Sequence, residues 1–256
     1  MVHQQVEEII SMPVAVAVSD QGGRAQMEDA HFLDAGFGDT GNVFGGVYDG
    51  HCGSHAARYA ARRLHVYFLD CLGAGVNPSG AFFTAYHRVS ADLKDQESGT
   101  TAATFLVDET FIHTANAGDS RILVVGAGCM TQLTVDHRLD DPEELKRVML
   151  CGGEIQYPYV MKGFRGIMPT RALGDEYFRD IGVISTPSVN AHRIGEQDIW
   201  LVAATDGLFD AVDNRETAMI CGKHDDPARL ADELILEVFR RSTTPDNTTV
   251  IVVRLH

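Results

Sequence analysis

Residues 101–126 read TAATFLVDETFIHTANAGDSRILVVG. Three β-branched or alternating runs lie in this stretch, Thr101 to Val107, Thr110 to Ala117 and Arg121 to Gly126. Asp108-Glu109 parts the first two, and Gly118-Asp119-Ser120 parts the second from the third. Short acidic or glycine-containing breaks between such runs are hairpin signals. The stretch therefore predicts three consecutive strands paired as a meander, and antiparallel sheets in place of a doubly wound parallel one.

Working outward, runs of the same kind recur at Val14 to Ser19, Val43 to Tyr48, Asp198 to Thr205 and Thr248 to Leu255, bounded by Gly, Asp or Pro. Helices interleave with them. From Ser54, apolar residues at Ala56, Ala57, Ala60, Leu64, Tyr67 and Phe68 keep to one face. Asp141-Pro142-Glu143-Glu144 offers an N-cap, a proline at the first helical position and acids matched to the helix dipole. Asp226-Pro227 repeats that start ahead of a stripe at Leu230, Leu234, Ile235 and Val238. Strands and helices that segregate in this way predict an α+β fold, with helices on the outer faces of stacked sheets. No internal repeat, low-complexity tract or linker-like shift divides the 256 residues, so one domain over 1–256 is expected.

Composition narrows the function classes. The chain is 45% hydrophobic and 22% charged, with a formal charge of −15. That balance argues against a nucleic-acid partner or an electrostatic membrane partner. It would also repel phosphate esters unless cations reversed the field locally. No apolar run approaches the ~18 residues of a membrane span, and residues 1–8 show no basic region followed by an apolar core. Five cysteines form no Cys-x-x-Cys pair and are odd in number, which predicts a reduced intracellular compartment. A cytoplasmic or nuclear monomer is the expectation.

Acidic residues recur where strands meet turns: Asp49-Gly50-His51, Asp206-Gly207 and Asp246-Asn247, with Glu28-Asp29 following Arg24. Each alone reads equally as an Asx turn, a helix cap or a surface ion pair. Together they are harder to dismiss, because several carboxylates desolvated in one place are costly unless cations hold them. The arrangement suggests a pocket of hard oxygen ligands for magnesium or manganese, with the Gly50 carbonyl turned inward and Arg24 suited to bidentate capture of a phosphate. That chemistry is a metallohydrolase's.

These pieces also resemble, in order along the chain, the metal-dependent serine/threonine protein phosphatases of type 2C. The shared motifs are Arg24-x-x-Met27-Glu28-Asp29, Asp49-Gly50-His51-x-Gly53, Ser98-Gly99-Thr100-Thr101-Ala102, Ala115-Asn116-Ala117-Gly118-Asp119-Ser120-Arg121, Asp136-His137, Thr170-Arg171-Ala172-Leu173-Gly174-Asp175, Asp206-Gly207-Leu208-Phe209-Asp210 and Asp246-Asn247-x-Thr249-Val250. The Asp-Gly-His form is similar to eukaryotic members. The resemblance implies a four-layer α-β-β-α sandwich with two stacked antiparallel sheets flanked by helices, and two Mg2+ or Mn2+ ions at one end. It implies that Asp49 bridges both ions, that Asp206 and Asp246 hold the first, and that the Gly50 carbonyl and, through water, Glu28 serve the second. Asp119, shared with Asp206, resembles a ligand for a weaker third ion, and Asp29 and Asn247 resemble supporting partners behind the ligands. Phosphoprotein substrates, Arg24 on the phosphoryl oxygens and His51 as the proton donor to the leaving seryl or threonyl oxygen complete the implied chemistry, in which water attacks phosphorus directly and no phosphoenzyme forms. His137 resembles a structural histidine between strand and turn.

Some features depart from that pattern. Cys52 stands where many relatives carry Gly, creating His51-Cys52-Gly53-Ser54-His55-Ala56-Ala57-Arg58, which fits the Cys-x5-Arg pattern of thiol-dependent tyrosine phosphatases. That family's loop has Gly where His55 stands, and Asp49 nearby would raise the thiol pKa, so a small buried residue is the expectation for Cys52. Residues 1–12 resemble a short extension and 151–169 a flap beside the site, where Met168-Pro169 is unusual and Tyr157, Tyr159, Phe164 and Arg165 are either phosphopeptide contacts or a buried patch. A catalytically inactive scaffold that binds phosphoproteins is the reading from a different class.

Overall fold

The computed structural model describes residues 14–256; the extension expected over 1–12 lies outside the described residues. In chain order the strands are β1 (Ala15–Asp20), β2 (Ala30–Phe37), β3 (Asn42–Tyr48), β4 (Gly50–His51), β5 (Gly99–Thr100), β6 (Ala102–Val107), β7 (Phe111–Ala117) and β8 (Arg121–Gly126). They continue as β9 (Met130–Gln132), β10 (Glu154–Gln156), β11 (Tyr159–Lys162), β12 (Arg165–Ile167), β13 (Leu173–Gly174), β14 (Ser188–Arg193), β15 (Asp198–Ala204) and β16 (Thr248–Arg254). The helices are α1 (His55–Gly73), α2 (Pro78–Asp92), α3 (Pro142–Leu150), α4 (Asp206–Phe209), α5 (Asn214–Cys221) and α6 (Pro227–Arg241). None is long and apolar enough to cross a membrane.

Two five-stranded sheets carry the fold, in the orders β1-β16-β15-β8-β9 and β14-β7-β6-β3-β2. Every pairing within them is antiparallel. Side chains alternate faces along a strand, so each sheet feeds two cores. Val43, Val47, Phe105, Ile122, Leu201 and Ile251 meet between the sheets. Their neighbours in sequence point the other way. Phe44 and Tyr48 pack under α1 and α2 with Leu64, Phe68 and Phe82. Leu123, Val125, Val202 and Val252 pack with Ile220 of α5 and with Leu230 and Leu234 of α6. The layers therefore run helix, sheet, sheet, helix, as expected. Burial on both faces explains why the central strands read as unbroken apolar runs, each buried side chain contributing ~1.5–3 kcal/mol.

The meander is corrected by the structure. β6 and β7 pair as a hairpin, but β8 leaves them and pairs with β15 and β9 of the other sheet. Ile122 and Val124 face one core and Leu123 and Val125 the other, so β8 fits the middle of either sheet and nothing local assigns it. Gly118-Asp119-Ser120 is thus a passage between sheets, not a hairpin turn, and it leaves Asp119 at the seam.

The helix starts follow from their caps. Asp141 accepts from the Glu143 amide at 2.8 Å and Asp226 from the Arg229 amide at 2.8 Å, each ahead of a proline. The α2 helix, which the sequence reading did not place, begins the same way: Asn77 accepts from the Gly80 amide at 2.9 Å ahead of Pro78. Strand β14, likewise not placed, is an edge strand whose exposed polar residues hide its alternation.

Two small sheets complete the architecture. A ribbon in the order β13-β5-β4 lies beside the strand end that carries Asp49. The expected flap forms the antiparallel sheet β10-β11-β12. Val160 and Ile167 anchor it to a separate core with Val148 and Phe178, while Phe164 is fully exposed and Tyr157 largely so.

Candidate active site

A cavity of about 1080 Å³ opens where the strand ends, the ribbon and the flap meet. Arg24, Glu28, Asp49, Gly50, His51, Asp119, Asp206, Asp246 and Asn247 all line it, so nine of the residues singled out from sequence share one wall system. Asp29, the remaining one, is buried behind them.

The fold delivers these groups from both sheets. Asp49 follows β3, and its backbone is held by the Thr101 amide at 2.9 Å and the Thr100 hydroxyl at 3.0 Å. Asp206 opens α4 after β15, and Asp246 precedes β16. The glycines after Asp49 and Asp206 are fixed by close approach. A Cβ on Gly50 would lie 2.4 Å from the Glu28 carbonyl oxygen, and one on Gly207 would lie 2.1 Å from that of Asn247. Distant segments are thereby brought against the two Asp-Gly turns. Asn247 ties them further: its side-chain amide donates to the Gln21 and Gln26 carbonyls at 2.8 and 3.0 Å, and its Oδ1 accepts from the Glu28 amide at 2.8 Å.

The electrostatics are those of crowded, desolvated acids. Burial first, then the charges of Asp206, Asp29 and Asp119, push the Asp49 carboxyl well above the usual range. Burial and then Asp119 and Asp210 raise Asp206 to about 7. Burial raises Asp29 to about 6, although Thr205 and Thr249 hydroxyls donate to its Oδ2 at 2.9 and 2.8 Å. Its Oδ1 is buried with no hydrogen-bond partner. Asp119 is raised as well, chiefly by burial and against the opposing pull of Arg138.

Protein cations occupy part of this field. Arg138 donates to Asp119 Oδ2 at 2.7 Å, to Asp210 Oδ1 at 3.2 Å and to Asp206 Oδ2 at 3.4 Å. Arg24, 62% exposed, pairs with Asp246. The Glu28 carboxylate accepts from the Gly53 amide at 2.5 Å. Among the described residues no group of three or more His, Cys, Asp or Glu side chains stands ready as a metal-ligand set. Buried carboxylates have taken the counter-charges and donors that the chain itself provides. The donors nonetheless fit a hard divalent cation. They are all oxygens, burial and then neighbouring like charge raise the proton affinities of Asp49 and Asp206, and Asp29 Oδ1, buried behind them, lacks a partner.

His51 stands on the ribbon with Nε2 2.8 Å from Asp175 Oδ2. Burial pushes its imidazolium down, but the charge and hydrogen bond of Asp175 outweigh this and leave its pKa raised. His137 does what its position after Asp136 suggests. It is buried, accepts from the Gly118 amide through Nδ1 at 3.2 Å, and joins Ser188 Oγ through Nε2 at 2.8 Å. Cys52, expected as a small buried residue, is instead exposed beside His51, where the bend after the ribbon strand turns it to solvent; partial desolvation and then the charges of Asp175 and Glu28 push its thiol up. From the segment expected as a flap, Tyr159 and Arg165 reach the cavity, and Arg165 lies 3.5 Å from Glu97, which also lines it. Phe164 and Tyr157 are not a buried patch. Arg138 and Asp175 were not singled out from sequence. The first follows Asp136-His137 directly, and the second closes the Gly174-Asp175 motif, but neither sequence context reveals its partners.

Comparison with known proteins gives a consistent picture. A family model described as Protein phosphatase 2C matches residues 15–247. The chain is 29% identical over 246 residues to the rice (Oryza sativa subsp. japonica) "Probable protein phosphatase 2C 7", covering 93% of this chain and 65% of that protein. It is 32% identical to the rice "Probable protein phosphatase 2C 2", covering 92% of this chain and 70% of that protein. It therefore spans about two thirds of the length of these curated relatives. Among solved structures, that of "serine-threonine phosphatase 2C from Toxoplasma gondii" superposes with a TM-score of 0.82 at 22% identity, covering 94% of each chain.

Proposed function

The chain belongs to the protein phosphatase 2C family, and from that premise we propose that it hydrolyses phosphoserine and phosphothreonine in proteins as a single magnesium- or manganese-dependent catalytic domain. The observation that carries this reading is the gathering of Asp49, Asp119 and Asp206 around one cavity, each with its proton affinity raised by burial and like charge. Asp49, Asp206 and Asp246 would hold the first ion, and Asp49, the Gly50 carbonyl and, through water, Glu28 the second. Asp119 and Asp206 would offer oxygens to a weaker third. Two such ions supply Lewis-acid charge and a nucleophilic water at neutral pH.

The chain's own residues then divide the work. Arg24, exposed at the rim, exchanges Asp246 for the phosphoryl oxygens and holds them bidentately. Water attacks phosphorus in line with the departing oxygen. His51 gives that oxygen a proton as the bond breaks, because a seryl or threonyl alkoxide is a poor leaving group. Asn247 keeps Glu28 in register, and Asp29, fixed by Thr205 and Thr249, backs the carboxylates with its free oxygen. Tyr159 and Arg165 border the opening and suit contact with the peptide around the phosphate.

A thiolate mechanism at Cys52 lacks support, since its thiol is pushed up where a nucleophilic cysteine needs to be pushed down. Turnover of p-nitrophenyl phosphate with manganese, with EDTA, and in Cys52→Ser separates the readings. Activity abolished by chelation and retained in Cys52→Ser is expected. Activity indifferent to EDTA but lost in Cys52→Ser would replace this mechanism with the thiol one, and no activity in any condition would leave an inactive scaffold.

A further inference from the structure

The ribbon β13-β5-β4 holds an arrangement that the proposed hydrolysis does not by itself require. Its central strand places Gly99 opposite His51 on one side and opposite Gly174 on the other. Strands two apart in a sheet are separated by about twice the ~4.8 Å neighbour spacing, so their side chains meet only across an empty central position. Gly99 supplies it: a Cβ there would lie 1.9 Å from Asp175 Oδ2 and 2.4 Å from His51 Nε2. The chain next to Gly99 is bent to suit. Gly174 and Asp175 both have positive φ, 79° and 54°, a conformation that is unfavourable for a non-glycine residue. The bend delivers the Asp175 carboxylate, only 4% exposed, to Nε2 of His51 at 2.8 Å. Among the described residues His51 Nδ1 has no hydrogen-bond partner, and His51 lines the cavity.

We propose that Asp175 is a positioning residue for the leaving-group proton: it fixes the His51 ring through Nε2 and so presents Nδ1 to the seryl or threonyl oxygen. The proposal rests on the hydrolase reading above. As the P–O bond breaks, its electron pair goes to the departing oxygen, which takes the proton from Nδ1. The ring is left neutral, with Nε2–H still donating to Asp175, and solvent returns the proton to Nδ1 before the next turnover. Asp175 touches neither the phosphate nor the leaving oxygen. Its effect is orientational, as a buried carboxylate behind an imidazole orients the ring in acyl transfer.

The test is a double-mutant cycle between Asp175→Asn and His51→Gln, with a phosphoserine peptide and p-nitrophenyl phosphate as substrates and saturating manganese. Asparagine tolerates positive φ, so the bend survives the substitution. Asp175→Asn is expected to lower kcat on the peptide ~10–100-fold with KM little moved. On p-nitrophenyl phosphate, whose leaving group needs no proton, the loss should be smaller than about 3-fold. In the His51→Gln background the peptide loss should vanish, because the ring it orients is gone. A merely structural role would instead give equal losses on both substrates that add to those of His51→Gln, and either result overturns the proposal. Nitrogen-15 spectra of the His51 ring give a readout free of turnover: a hydrogen-bonded Nε2–H in the wild type, lost in Asp175→Ala, is expected, and an unchanged signal refutes the contact. A wild-type protein inactive on both substrates would sink the hydrolase reading itself, and the proton role with it.

Discussion

Replacing Gly99 with alanine would place a methyl group 1.9 Å from Asp175 Oδ2, 2.4 Å from its Cγ and 2.4 Å from His51 Nε2. Ordinary contact begins near ~3.5 Å, so the carboxylate oxygen must retreat by about 1.6 Å. The 2.8 Å hydrogen bond between Asp175 and His51 does not survive a displacement of that size. Misplacement of a catalytic group by about 1 Å can cost ~10²-fold in rate, equivalent to about 2.7 kcal/mol of barrier. Overpacking adds ~1–3 kcal/mol of lost stability, or about 2–12 °C in Tm for a chain of this size. The assay pairs steady-state kinetics on a phosphoserine peptide and on p-nitrophenyl phosphate with a thermal melt. Gly99→Ala should melt lower yet stay folded at 25 °C, and should lose far more on the peptide than on the aryl ester. If kcat on the peptide stays at the wild-type value, the empty position between the two side chains has no functional purpose and the reasoning fails.

Asp206→Asn should weaken divalent-cation binding by at least ~10–100-fold, measured by titration calorimetry with manganese, and should remove nearly all activity; an unaltered isotherm would mean that Asp206 holds no ion. His137 offers a pH test of the scaffold. Burial first, and then Arg171, lowers its pKa from the ordinary ~6.5 to about 4 in the folded chain. The folded state thus binds this proton less tightly than the unfolded one. The stability it contributes is whole above pH ~6.5 and is lost as pH falls toward 4, by up to about 3 kcal/mol. Urea unfolding between pH 7 and 4.5 should show a steeper decline for the wild type than for His137→Gln, and identical slopes would count against the assignment.

Sequence legibility follows physical lines. The strands Val43 to Tyr48, Asp198 to Thr205 and Thr248 to Leu255 fall within one residue of β3, β15 and β16 because β-branched residues buried on both faces leave no competing pattern. Asp141-Pro142 and Asp226-Pro227 were readable because a cap is local chemistry. The Asn77-Pro78 start of α2 carried the same signal, followed by Ala81, Phe82, Ala85 and Val89, and was open to the same reading. The sheet to which β8 belongs was not legible, since pairing across sheets is decided by packing far along the chain. The acidic lining was visible at strand ends, where Asp-Gly turns announce themselves. The partners of Asp175 and Arg138 were hidden, because His51 lies 124 positions from the first, and Asp206 and Asp210 lie 68 and 72 from the second.

Asp49 hangs from one large sheet, while Asp206 and Asp246 hang from the other. The gap between them is therefore gauged from a distance, by the thickness of what fills the middle of the molecule. Val43, Phe105, Leu201 and Ile251 act as shims in that filling. Because protein interiors are as dense as organic crystals, trimming or adding a single carbon there tilts one β-layer against its mate. The distance between Asp49 on one side and Asp206 and Asp246 on the other would then change, and with it any grip on the ions proposed to sit there, although no atom of the cavity wall has been touched.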